Sequence, residues 1–330
     1  MKQFLKVFTI AFFCFVLAIG AGVFTFMKFY DANAATQEDL KNVDNNDTED
    51  NSDSSNDNSK SLDPFKKAIQ ESKRINILLL GLEGPRTDTI IFASFDPVTK
   101  KVDLISIPRD TYFYRLGYEE ADKRKINAVY GDAGVKGTMK AVEAVLGGVP
   151  IHHYVKVTYS GVEKIVDSLG GVEVDVPFDM VYDDPTAKPP LHINLKKGRQ
   201  ILNGEKAVQF LRFRQNNDKT VGYPDGDLGR IRAQQQFIKS AVKKALSFRL
   251  PVVAQTCFKY IKTDMSLTDT LLYVSKAIGI KIEDVSMTTL PGRAIYKSID
   301  GKRVSYFAYD SKQIRELMMK LYNVNIETEN

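Results

Sequence analysis

The hydrophobic pattern divides the chain into a long apolar run, a polar segment and a body of short alternating elements. Residues 7–27 are almost uninterrupted apolar sequence, about the length needed to cross a bilayer. Residues 28–61 are rich in Asn, Asp, Ser, Glu and Thr, a composition that buries too little apolar surface to offset chain entropy. The pattern therefore predicts a transmembrane helix, a disordered acidic stalk and a folded domain over residues 62–330.

Short runs rich in branched residues predict buried strands in the first half of this domain, and amphipathic patterns predict helices between them. Strands are expected over residues 75–81, 89–95, 102–107, 152–157 and 172–176, and helices over residues 137–146, 159–169, 204–211 and 228–248. Asn203 is expected to cap the helix at 204–211. This alternation predicts a three-layer α-β-α body.

The second half continues the same alternation without a new linker. Helices are expected over residues 267–278 and 311–322, and strands around residues 285–287 and 305–307. The segment 250–330 is therefore interpreted as a C-terminal extension of the same domain. The proline-containing segment 177–198, with Pro185, Pro189 and Pro190, is predicted to be a long loop that forms a lid or wall.

The flanks of the apolar run predict its orientation. Lys2 and Lys6 precede it on a short arm (residues 1–6), and a strongly acidic stretch follows, so the positive-inside rule predicts a cytoplasmic N-terminus and an external body. Ala32-Asn33-Ala34 is similar to a signal-peptidase site, but it lies several residues beyond an apolar run that is longer than usual. We therefore expect an uncleaved signal anchor in a single-pass cell-membrane protein, with a cleaved signal peptide as the alternative.

The charge of the body indicates an anionic partner. The chain has 46 basic and 41 acidic residues, of which 5 and 9 precede residue 61, so the body carries a net charge of +9. Polyanions, lipid phosphates and nucleic acid all fit this charge. An external location argues against nucleic acid. Cys14 and Cys257 lie in different segments, so no intrachain disulfide is expected, and Cys257 is given a packing role.

An arginine-rich stretch with a turn in its middle is the candidate anion site. Its arginines are Arg212, Arg214, Arg230 and Arg232. A guanidinium group is a planar fork of donors that matches phosphate or carboxylate oxygens in pairs. A solvated basic face is the alternative, but apolar residues interleave with the arginines and a Gly/Pro turn at residues 221–226 folds one half back on the other. The pattern therefore favours a built anion site.

Two carboxylates flank Arg86 on a loop that connects two predicted strands. Glu83 and Asp88 are either solvated loop residues or ligands of a divalent cation, because Mg2+ binds a pair of carboxylates and completes its shell with water and phosphate oxygens. The sequence contains no nucleophile elbow, no Gly-Lys-Ser/Thr phosphate loop and no dinucleotide fingerprint.

Eight short motifs follow one another between about residues 75 and 246. They are Leu80-Gly81-Leu82-Glu83, Arg86-Thr87-Asp88-Thr89, Ser106-Ile107-Pro108-Arg109-Asp110, Lys125-Ile126-Asn127-Ala128, Leu169-Gly170-Gly171-Val172, Leu202-Asn203-Gly204, Arg212-Phe213-Arg214 and Asp227-Leu228-Gly229-Arg230 with Gln234-Gln235. In this order and behind a single N-terminal anchor, they resemble the LytR-CpsA-Psr family of cell-envelope glycopolymer transferases.

The resemblance implies an extracytoplasmic enzyme of Gram-positive-type bacteria with a mixed central sheet. Such an enzyme moves a glycopolymer, such as wall teichoic acid or capsule, from a polyprenyl (pyro)phosphate carrier to peptidoglycan. The resemblance also implies a Mg2+ or Mn2+ ion at the phosphates and an apolar tunnel through the sheet for the lipid. The apolar runs at 90–92 and 154–155 are equally suited to line a tunnel or to fill a core, and core is the default expectation.

The family motifs assign roles to residues of this chain by position. The implied metal ligands are Glu83 and Asp88; the implied phosphate-binding residues are Arg86, Arg109, Arg212, Arg214, Arg230 and Arg232, oriented by Asp227 and Gln234; and the implied catalytic residues are Asp88, Arg109, Asp110 and Arg230. Either Asp88 or Asp110 is expected to accept the proton of the attacking sugar hydroxyl.

The chain departs from the family pattern at two positions. The family usually has aspartate where this chain has Glu83, and its second helix arginine falls at Ala233, where the neighbouring Arg232 carries the charge instead. One position along a helix is a rotation of about 100°, so Arg230 is the more secure phosphate ligand of the two arginines.

Two other functions use the same residues. The first is a membrane-anchored protein that binds anionic envelope polymer without chemistry, which would gain nothing from the carboxylates Glu83 and Asp88. The second is a hydrolase of the lipid pyrophosphate, in which water replaces the peptidoglycan hydroxyl and free polymer phosphate is the product.

Overall fold

The computed structural model describes residues 63–187, 190–247, 257–277, 280–299 and 301–324. The predicted transmembrane helix at 7–27, the stalk at 28–61 and the candidate cleavage site at residues 32–34 lie outside the described residues. Among the helices of the described residues, none combines the length and the apolar character of a membrane span. The span and its orientation stay predictions.

Twelve strands and seven helices of the described residues are used below. The strands are β1 (Ile75–Glu83), β2 (Arg86–Phe95), β3 (Val102–Ser106), β4 (His153–Thr158), β5 (Val172–Val176), β6 (Met180–Asp184), β7 (Leu191–Leu195), β8 (Gly198–Leu202), β9 (Ile261–Thr263), β10 (Val285–Thr289), β11 (Gly292–Ile299) and β12 (Lys302–Tyr309). The helices are α1 (Pro64–Glu71), α2 (Val129–Val145), α3 (Tyr159–Ser168), α4 (Gly204–Arg212), α5 (Asp227–Ser247), α6 (Leu267–Lys276) and α7 (Ser311–Leu321).

A mixed six-stranded sheet forms the centre of the body, in the order β10-β3-β2-β1-β4-β9. β1 is antiparallel to β2 and parallel to β4, β2 is antiparallel to β3, and β10 is parallel to β3. The mixed α/β fold expected from the sequence is confirmed.

Helices cover both faces of this sheet because successive side chains of a strand point to opposite faces. Ile75 and Ile77 of β1 join one buried cluster, which includes residues of α3, α4, α5 and α6. Leu78 and Leu80 of the same strand join a second cluster, with residues of α1, α2 and α7. The continuous apolar run in β1 is therefore buried on both sides, which gives three layers.

The segment 177–198 is a hairpin, so its prediction as a long loop was wrong. β6 and β7 pair in antiparallel register from Met180 opposite Leu195 to Asp184 opposite Leu191. Pro185 and Pro190 fall between the strands, where proline does not interrupt a ladder of hydrogen bonds. The sequence signal for the strands was weak because each has only five residues, and the prolines indicated only the turn between them.

The C-terminal residues complete both edges of the central sheet. β9 pairs antiparallel with β4 at one edge, and β10 pairs with β3 at the other. The expected strand at 305–307 is part of β12, but its partner β11 was missed. Most of β11 is solvent-exposed, and an exposed strand has no apolar run to reveal it.

The helix expected at 137–146 begins earlier, at Val129. The backbone leaves helical geometry at Gly134, where φ is 62°. This left-handed conformation strains a residue that has a Cβ atom, and the glycine relieves that strain. The break separates the first turns of α2 from the apolar pattern that revealed its second half.

Helices α3 and α4 approach closely at Gly204. The side chain of Asn203 caps α4 by accepting a hydrogen bond from the backbone N–H of Lys206 at 3.0 Å, as the sequence predicts. A Cβ atom on Gly204 would lie 2.2 Å from the carbonyl oxygen of Glu163 in α3. The backbone N–H of Gly204 also donates to Asp167 of α3 at 2.8 Å. The Leu202-Asn203-Gly204 motif therefore serves helix packing.

Replacement of this glycine tests the close approach. We expect Gly204→Ala to lower the free energy of unfolding by about 2 kcal/mol, because the added methyl group forces the two helices apart. Lys206→Ala, on an exposed position of the same helix, should change it by less than about 0.5 kcal/mol. Thermal unfolding of the full chain followed by circular dichroism measures both, and equal stabilities of the two variants would contradict the packing argument.

Candidate anion site and apolar cavity

Polar side chains converge at one end of the central sheet, across the ends of its strands. The carboxyl ends of the mutually parallel strands β1 and β4 meet there, together with the start of β2. The segments Pro108–Asp110 after β3 and the first turn of α5 reach the same end, as their contacts below show. Open sheets commonly bind ligands where the carboxyl ends of their strands meet.

Asp88 is the centre of the polar cluster and is only 7% exposed. Its Oδ1 accepts a hydrogen bond from Arg109 Nη1 at 2.6 Å and lies 3.7 Å from Arg214 Nη2. Its Oδ2 accepts a hydrogen bond from the phenol of Tyr159 at 3.3 Å. Burial alone would raise the pKa of Asp88, but a hydrogen bond with Glu83 and the charges of Arg109 and Arg230 hold it well below its usual range.

Arg230 is the most buried charged side chain of the site, with 2% exposed. Asp227, one turn earlier in α5, holds it through a 2.6 Å contact between Nη2 and Oδ1. The same Asp227 oxygen lies 3.6 Å from Nε of Arg109. Within the described residues, the buried Nε atoms of Arg230 and Arg109 make no hydrogen bond. Each of these guanidinium groups therefore keeps one N–H that no protein acceptor in the described part of the chain satisfies.

Glu83 closes the cluster on the side of β1. Its carboxylate pairs with the guanidinium of Arg212, whose Cζ atom lies 5.0 Å from the centre of the Tyr159 ring. A hydrogen bond with Asp88 raises the pKa of Glu83, and burial and the negative charge of Asp88 act in the same direction against the opposing charge of Arg212. Glu83 and Asp88 therefore form one coupled pair of carboxyl groups.

The cluster carries an excess of positive charge. Four arginines face three carboxyl groups. Burial and the neighbouring charges of Arg230 and Arg109 lower the pKa of Arg214, as expected where cations are crowded. An anion would relieve this crowding.

Three of the predicted site residues have their charged groups paired elsewhere. Arg86 Nη2 contacts Asp122 Oδ2 at 3.2 Å, Lys125 Nζ contacts Asp110 Oδ1 at 3.0 Å, and Arg232 pairs with the exposed Asp225. Arg232 lies two positions after Arg230, a rotation of about 200° that turns it to the opposite side of α5. The cluster therefore contains Glu83, Asp88, Arg109, Arg212, Arg214, Asp227 and Arg230 of the predicted set.

Two glutamines fix the first turns of α5 beside the cluster. Gln234 Nε2 donates to the carbonyl oxygen of Leu211 at 3.4 Å, which ties α5 to α4 next to Arg212. Gln235 Nε2 donates to Ser106 Oγ at 3.0 Å and to the Thr288 carbonyl oxygen at 3.1 Å, which ties α5 to β3 and β10. Gln234 therefore fastens α5 to α4 beside the cluster, and its role in orienting the arginines stays a prediction.

Tyr159 is a site residue that the sequence analysis did not single out. It contacts both Asp88 and Arg212, and burial, with the adjacent charges of Asp88 and Glu83, raises the pKa of its phenol. The available signal was its place directly after β4, at the same end of the sheet as Glu83. A tyrosine at a helix start is common enough that the signal did not stand out.

An apolar cavity of about 120 Å³ borders the cluster, between the sheet, α3 and α5. Its wall includes Val162 and Ile165 of α3, Phe237 and Ala241 of α5, and Cys257. Tyr159 and Gln234 belong to both the cavity wall and the polar cluster. The cavity and the cluster are therefore adjacent compartments.

The apolar runs 90–92 and 154–155 were expected either to line a tunnel or to fill the core, and the cavity shows which of their residues face it. Ile91 and Val155 line the cavity. Ile90 and Phe92 point to the other face of the sheet and pack in the second buried cluster. Each run therefore contributes alternate residues, as the two-residue period of a strand requires.

The donor set at Glu83 and Asp88 fits a divalent cation with a partly non-protein shell. The two carboxyl groups lie in contact with each other, and a cation can bind between two facing carboxylates. The described residues contain no group of three or more His, Cys, Asp or Glu side chains placed for a metal ion. The remaining ligands would be water and substrate oxygens, the arrangement that Mg2+ commonly adopts.

Comparison with known proteins gives consistent matches. The LytR_cpsA_psr family model matches residues 23–323. The chain is 28% identical to the polyisoprenyl-teichoic acid–peptidoglycan teichoic acid transferase TagV of Bacillus subtilis (strain 168) over 263 residues, which are 76% of this chain and 64% of TagV. The crystal structure of B. subtilis TagV gives a TM-score of 0.62 at 27% identity and covers 78% of this chain and 100% of that one.

The chain matches a larger share of the length of two further relatives. The regulatory protein MsrR of Staphylococcus aureus (strain Mu50) is 32% identical over 248 residues, which are 72% of this chain and 70% of MsrR. The polyisoprenyl-teichoic acid–peptidoglycan teichoic acid transferase TagU of Bacillus cereus is 31% identical over 254 residues, which are 74% of this chain and 77% of TagU.

Substitution of Asp88 tests whether it holds the arginines together. We expect Asp88→Asn to lower the free energy of unfolding by about 3 kcal/mol near pH 7, because it leaves Arg109 and Arg214 without their shared counter-charge. The pKa of Asp88 is lowered in the folded protein, so its stabilisation is present above the unfolded-state pKa and is lost as the pH falls through the folded-state pKa.

The difference between wild type and Asp88→Asn should therefore stay constant from about pH 8 to pH 5 and narrow only below about pH 4. Asp122→Asn, at an exposed ion pair, is the control and should change stability by less than about 1 kcal/mol. Thermal unfolding across this pH range measures both effects. A stability of Asp88→Asn equal to that of wild type at pH 7 would contradict the central role of Asp88.

Proposed function

This chain belongs to the LytR-CpsA-Psr family, and from that premise we propose that it transfers an anionic glycopolymer from a polyprenyl (pyro)phosphate carrier to peptidoglycan. The polymer is of the wall teichoic acid or capsular polysaccharide class. The names of the relatives TagV and TagU as teichoic acid transferases support this proposal. The observation that carries it is the contact between a buried arginine cluster and an apolar cavity, since a lipid phosphate has the same two parts.

The arginine cluster suits the phosphates of such a carrier. Arg230 is held rigidly by Asp227 at 2.6 Å, and Arg109 is held by Asp88 at 2.6 Å. Because the carboxylates fix one side of each guanidinium group, the remaining donors keep their direction before substrate binds. Preorganised donors stabilise developing charge without a cost of reorganisation during the reaction. Arg214, with about half of its side chain exposed, provides a third cation at the open side of the cluster.

The apolar cavity suits the hydrocarbon end of the carrier. Its wall consists almost entirely of aliphatic and aromatic side chains between α3 and α5, and it reaches the cluster at Tyr159 and Gln234. Burial of an isoprenoid chain there would be favourable by about 25 cal/mol per Å² of apolar surface. A carrier bound in this way places its phosphate groups beside Asp88 and the arginines.

The proposed reaction is a displacement at the phosphorus that joins polymer to carrier. A sugar hydroxyl of peptidoglycan attacks this phosphorus, a new P–O bond forms, and the P–O bond to the carrier phosphate breaks. The carrier phosphate leaves with the bonding electron pair, while the hydroxyl proton passes to a base. Arg109 and Arg230 stabilise the negative charge that grows on the phosphoryl oxygens.

We infer the base from the contacts of the two carboxylates that the sequence offered, Asp88 and Asp110. Asp88 lies in the cluster, in contact with Arg109 and Arg214, which would hold the reacting phosphate. Asp110 is occupied by Lys125 at 3.0 Å and has no contact with the cluster carboxylates among the described residues. Asp88 is therefore the base that we propose.

We also propose that Glu83 and Asp88 hold Mg2+ or Mn2+ together with substrate oxygens. A divalent cation supplies positive charge that neutralises the phosphates and helps to orient them. The contact between the carboxyl groups of Glu83 and Asp88 supports this assignment, since a cation can bind between two facing carboxylates.

The proposed setting is the outer side of a Gram-positive-type cell membrane. Residues 7–27 have the length and apolar character of a single span with a cytoplasmic N-terminus, which would place the body outside the cell. The body then faces the membrane-bound donor and the peptidoglycan acceptor, and no nucleic acid is involved.

The transfer reaction is tested with the full chain in detergent micelles, a synthetic polyprenyl-pyrophosphate saccharide, peptidoglycan oligomers and Mg2+. We expect wild type to form covalent polymer–peptidoglycan product. Arg230→Ala should lower the rate at least about 100-fold, because a fixed donor to the developing charge is lost. Arg199→Ala is the control and should match wild type, because Arg199 is an exposed residue of β8 that pairs with Glu173 outside the cluster.

The products separate the rival functions. Free polymer phosphate without coupled product would identify a hydrolase, and tight binding of the lipid without any product would identify a binding protein. Either result would contradict the transferase.

The metal site is tested by titration with Mn2+, followed by electron paramagnetic resonance. We expect wild type to bind Mn2+ and Glu83→Gln to weaken binding at least tenfold, because the amide cannot supply a charged oxygen ligand. Asp122→Asn removes an exposed carboxylate outside the cluster and should leave the affinity unchanged. Equal affinities for wild type and Glu83→Gln would contradict the assignment of Glu83 as a ligand.

A further inference from the structure

A second opening lies on the side of α5 opposite the arginine cluster. It is a groove of about 470 Å³ between α5, the turn at residues 223–226 and the segment after β5. This volume is within the range of roughly 300–1,000 Å³ that is typical of small-molecule sites. Its wall includes Asp175, Phe178, Tyr223, Arg232 and Gln236. None of these residues belongs to the apolar cavity or contacts Asp88.

Two aromatic rings form the floor of the groove in a fixed arrangement. The rings of Phe178 and Tyr223 have centroids 5.2 Å apart and are inclined by 64°. Phe213, which is 1% exposed, packs against both rings from below. A Cβ atom on Gly229 would lie 2.6 Å from the Cβ of Tyr223, so the glycine allows Tyr223 to rest directly on α5. The flat faces are therefore positioned by packing before any ligand binds.

Polar groups surround this aromatic floor. Gln236 is an exposed residue whose side chain presents both a donor and an acceptor, and Arg232 pairs with Asp225 at the rim. The hydroxyl oxygen of Tyr223 is buried, so this residue presents its ring to the groove and not its donor. A ligand with several hydroxyl groups would satisfy the amide of Gln236 and the polar groups of the rim.

The charge of the groove differs from that of the arginine cluster. Here Arg232 is accompanied by Asp225 and Asp175, so the carboxylates outnumber the cation. Such a surface does not attract phosphate. Apolar ring faces bordered by neutral and balanced polar groups suit a pyranose ring, which has C–H groups on its faces and hydroxyl or amide groups at its edge.

The groove shares a wall with the candidate active site. The backbone N–H of Tyr223 donates to the carbonyl oxygen of Arg214 at 3.4 Å, and its side chain packs on Gly229, the residue before Arg230. Tyr223 therefore lies between the groove and the chain segments that carry Arg214 and Arg230, two of the arginines proposed to hold phosphate.

We propose that this groove binds a neutral pyranose unit of a saccharide substrate next to the reacting phosphate. This inference rests on the proposed function, because that function brings saccharides to both sides of the phosphate. The bound sugar belongs either to the lipid-linked donor or to the peptidoglycan acceptor, and both present the same chemistry to the groove.

Two conservative variants test the groove in the full chain. Phe178→Leu removes a flat ring face from the floor and keeps an apolar side chain, and such hydrophobic exchanges of similar volume usually leave the fold stable. Gln236→Ala removes an exposed amide from a helix, where alanine is well tolerated. Lys239→Ala, an exposed position one turn further along α5 and outside the groove, is the matched control.

Binding is measured by isothermal titration calorimetry with three ligands: a polyprenyl diphosphate without sugar, the same lipid with a disaccharide, and a free tetrasaccharide of N-acetylglucosamine. We expect both groove variants to weaken the binding of at least one sugar-bearing ligand by about fivefold, the effect of one lost ring contact or one lost neutral hydrogen bond. The bare lipid should bind all variants within twofold of wild type, and Lys239→Ala should change nothing.

The pattern of losses identifies the source of the sugar. Weaker binding of the lipid-linked disaccharide assigns the groove to the donor, and weaker binding of the free tetrasaccharide assigns it to the acceptor. An equal loss for the bare lipid would place these residues in the phosphate site and overturn the proposal, as would unchanged binding of both sugar-bearing ligands. Because no transfer is measured, failure of the transferase assay would not affect these readings.

Discussion

The site depends on the crowding of four arginine side chains at one end of the central sheet. Like charges packed at this distance repel each other unless carboxylates separate them, and here Asp88 and Asp227 do so by each contacting two arginines. Three separate chain segments supply the arginines, so the ion pairs also hold the segment after β3, the end of α4 and the start of α5 together. The resulting excess of positive charge is the physical basis for binding an anion.

The cluster and the two openings beside it differ in chemistry, and each suits a different part of the proposed substrates. The apolar cavity behind Tyr159 is suited to hydrocarbon, the cluster to phosphate and the groove beyond Tyr223 to a sugar ring. Helix α5 borders all three, with Phe237 in the cavity, Arg230 in the cluster and Gln236 in the groove. The glutamine contacts that fasten its first turns to α4, β3 and β10 therefore set the relative positions of the three compartments.

The sequence was sufficient to predict the elements whose pattern is fixed by burial. The strands β1 to β3, the cap at Asn203 and the long helix α5 fall within a few residues of their predicted positions, because two-sided burial and capping leave a local signature. The hairpin β6–β7 and the strand β11 were missed because short or exposed strands lack that signature. The predicted transmembrane helix lies outside the described residues and stays a prediction.

The composition of the site was predictable from motifs, but the direction of its side chains was not. Arg86 and Arg232 have the right charge and neighbours in sequence, yet Asp122 and Asp225 pair with them outside the cluster. Which carboxylate captures an arginine depends on residues that are distant in the chain or on helix rotation, and neither is visible in a short motif. Tyr159 was missed for the converse reason, since its role comes only from contacts with Asp88 and Arg212.

The central claim is that the arginine cluster and the apolar cavity form one site for a lipid phosphate. A crystal structure of the protein with a short-chain polyprenyl diphosphate tests it most directly. The account predicts diphosphate oxygens within hydrogen-bond distance of Arg109 and Arg230, with the isoprenoid chain between α3 and α5 against Val162 and Phe237. A diphosphate bound away from these arginines, or an isoprenoid chain outside the cavity, would contradict it.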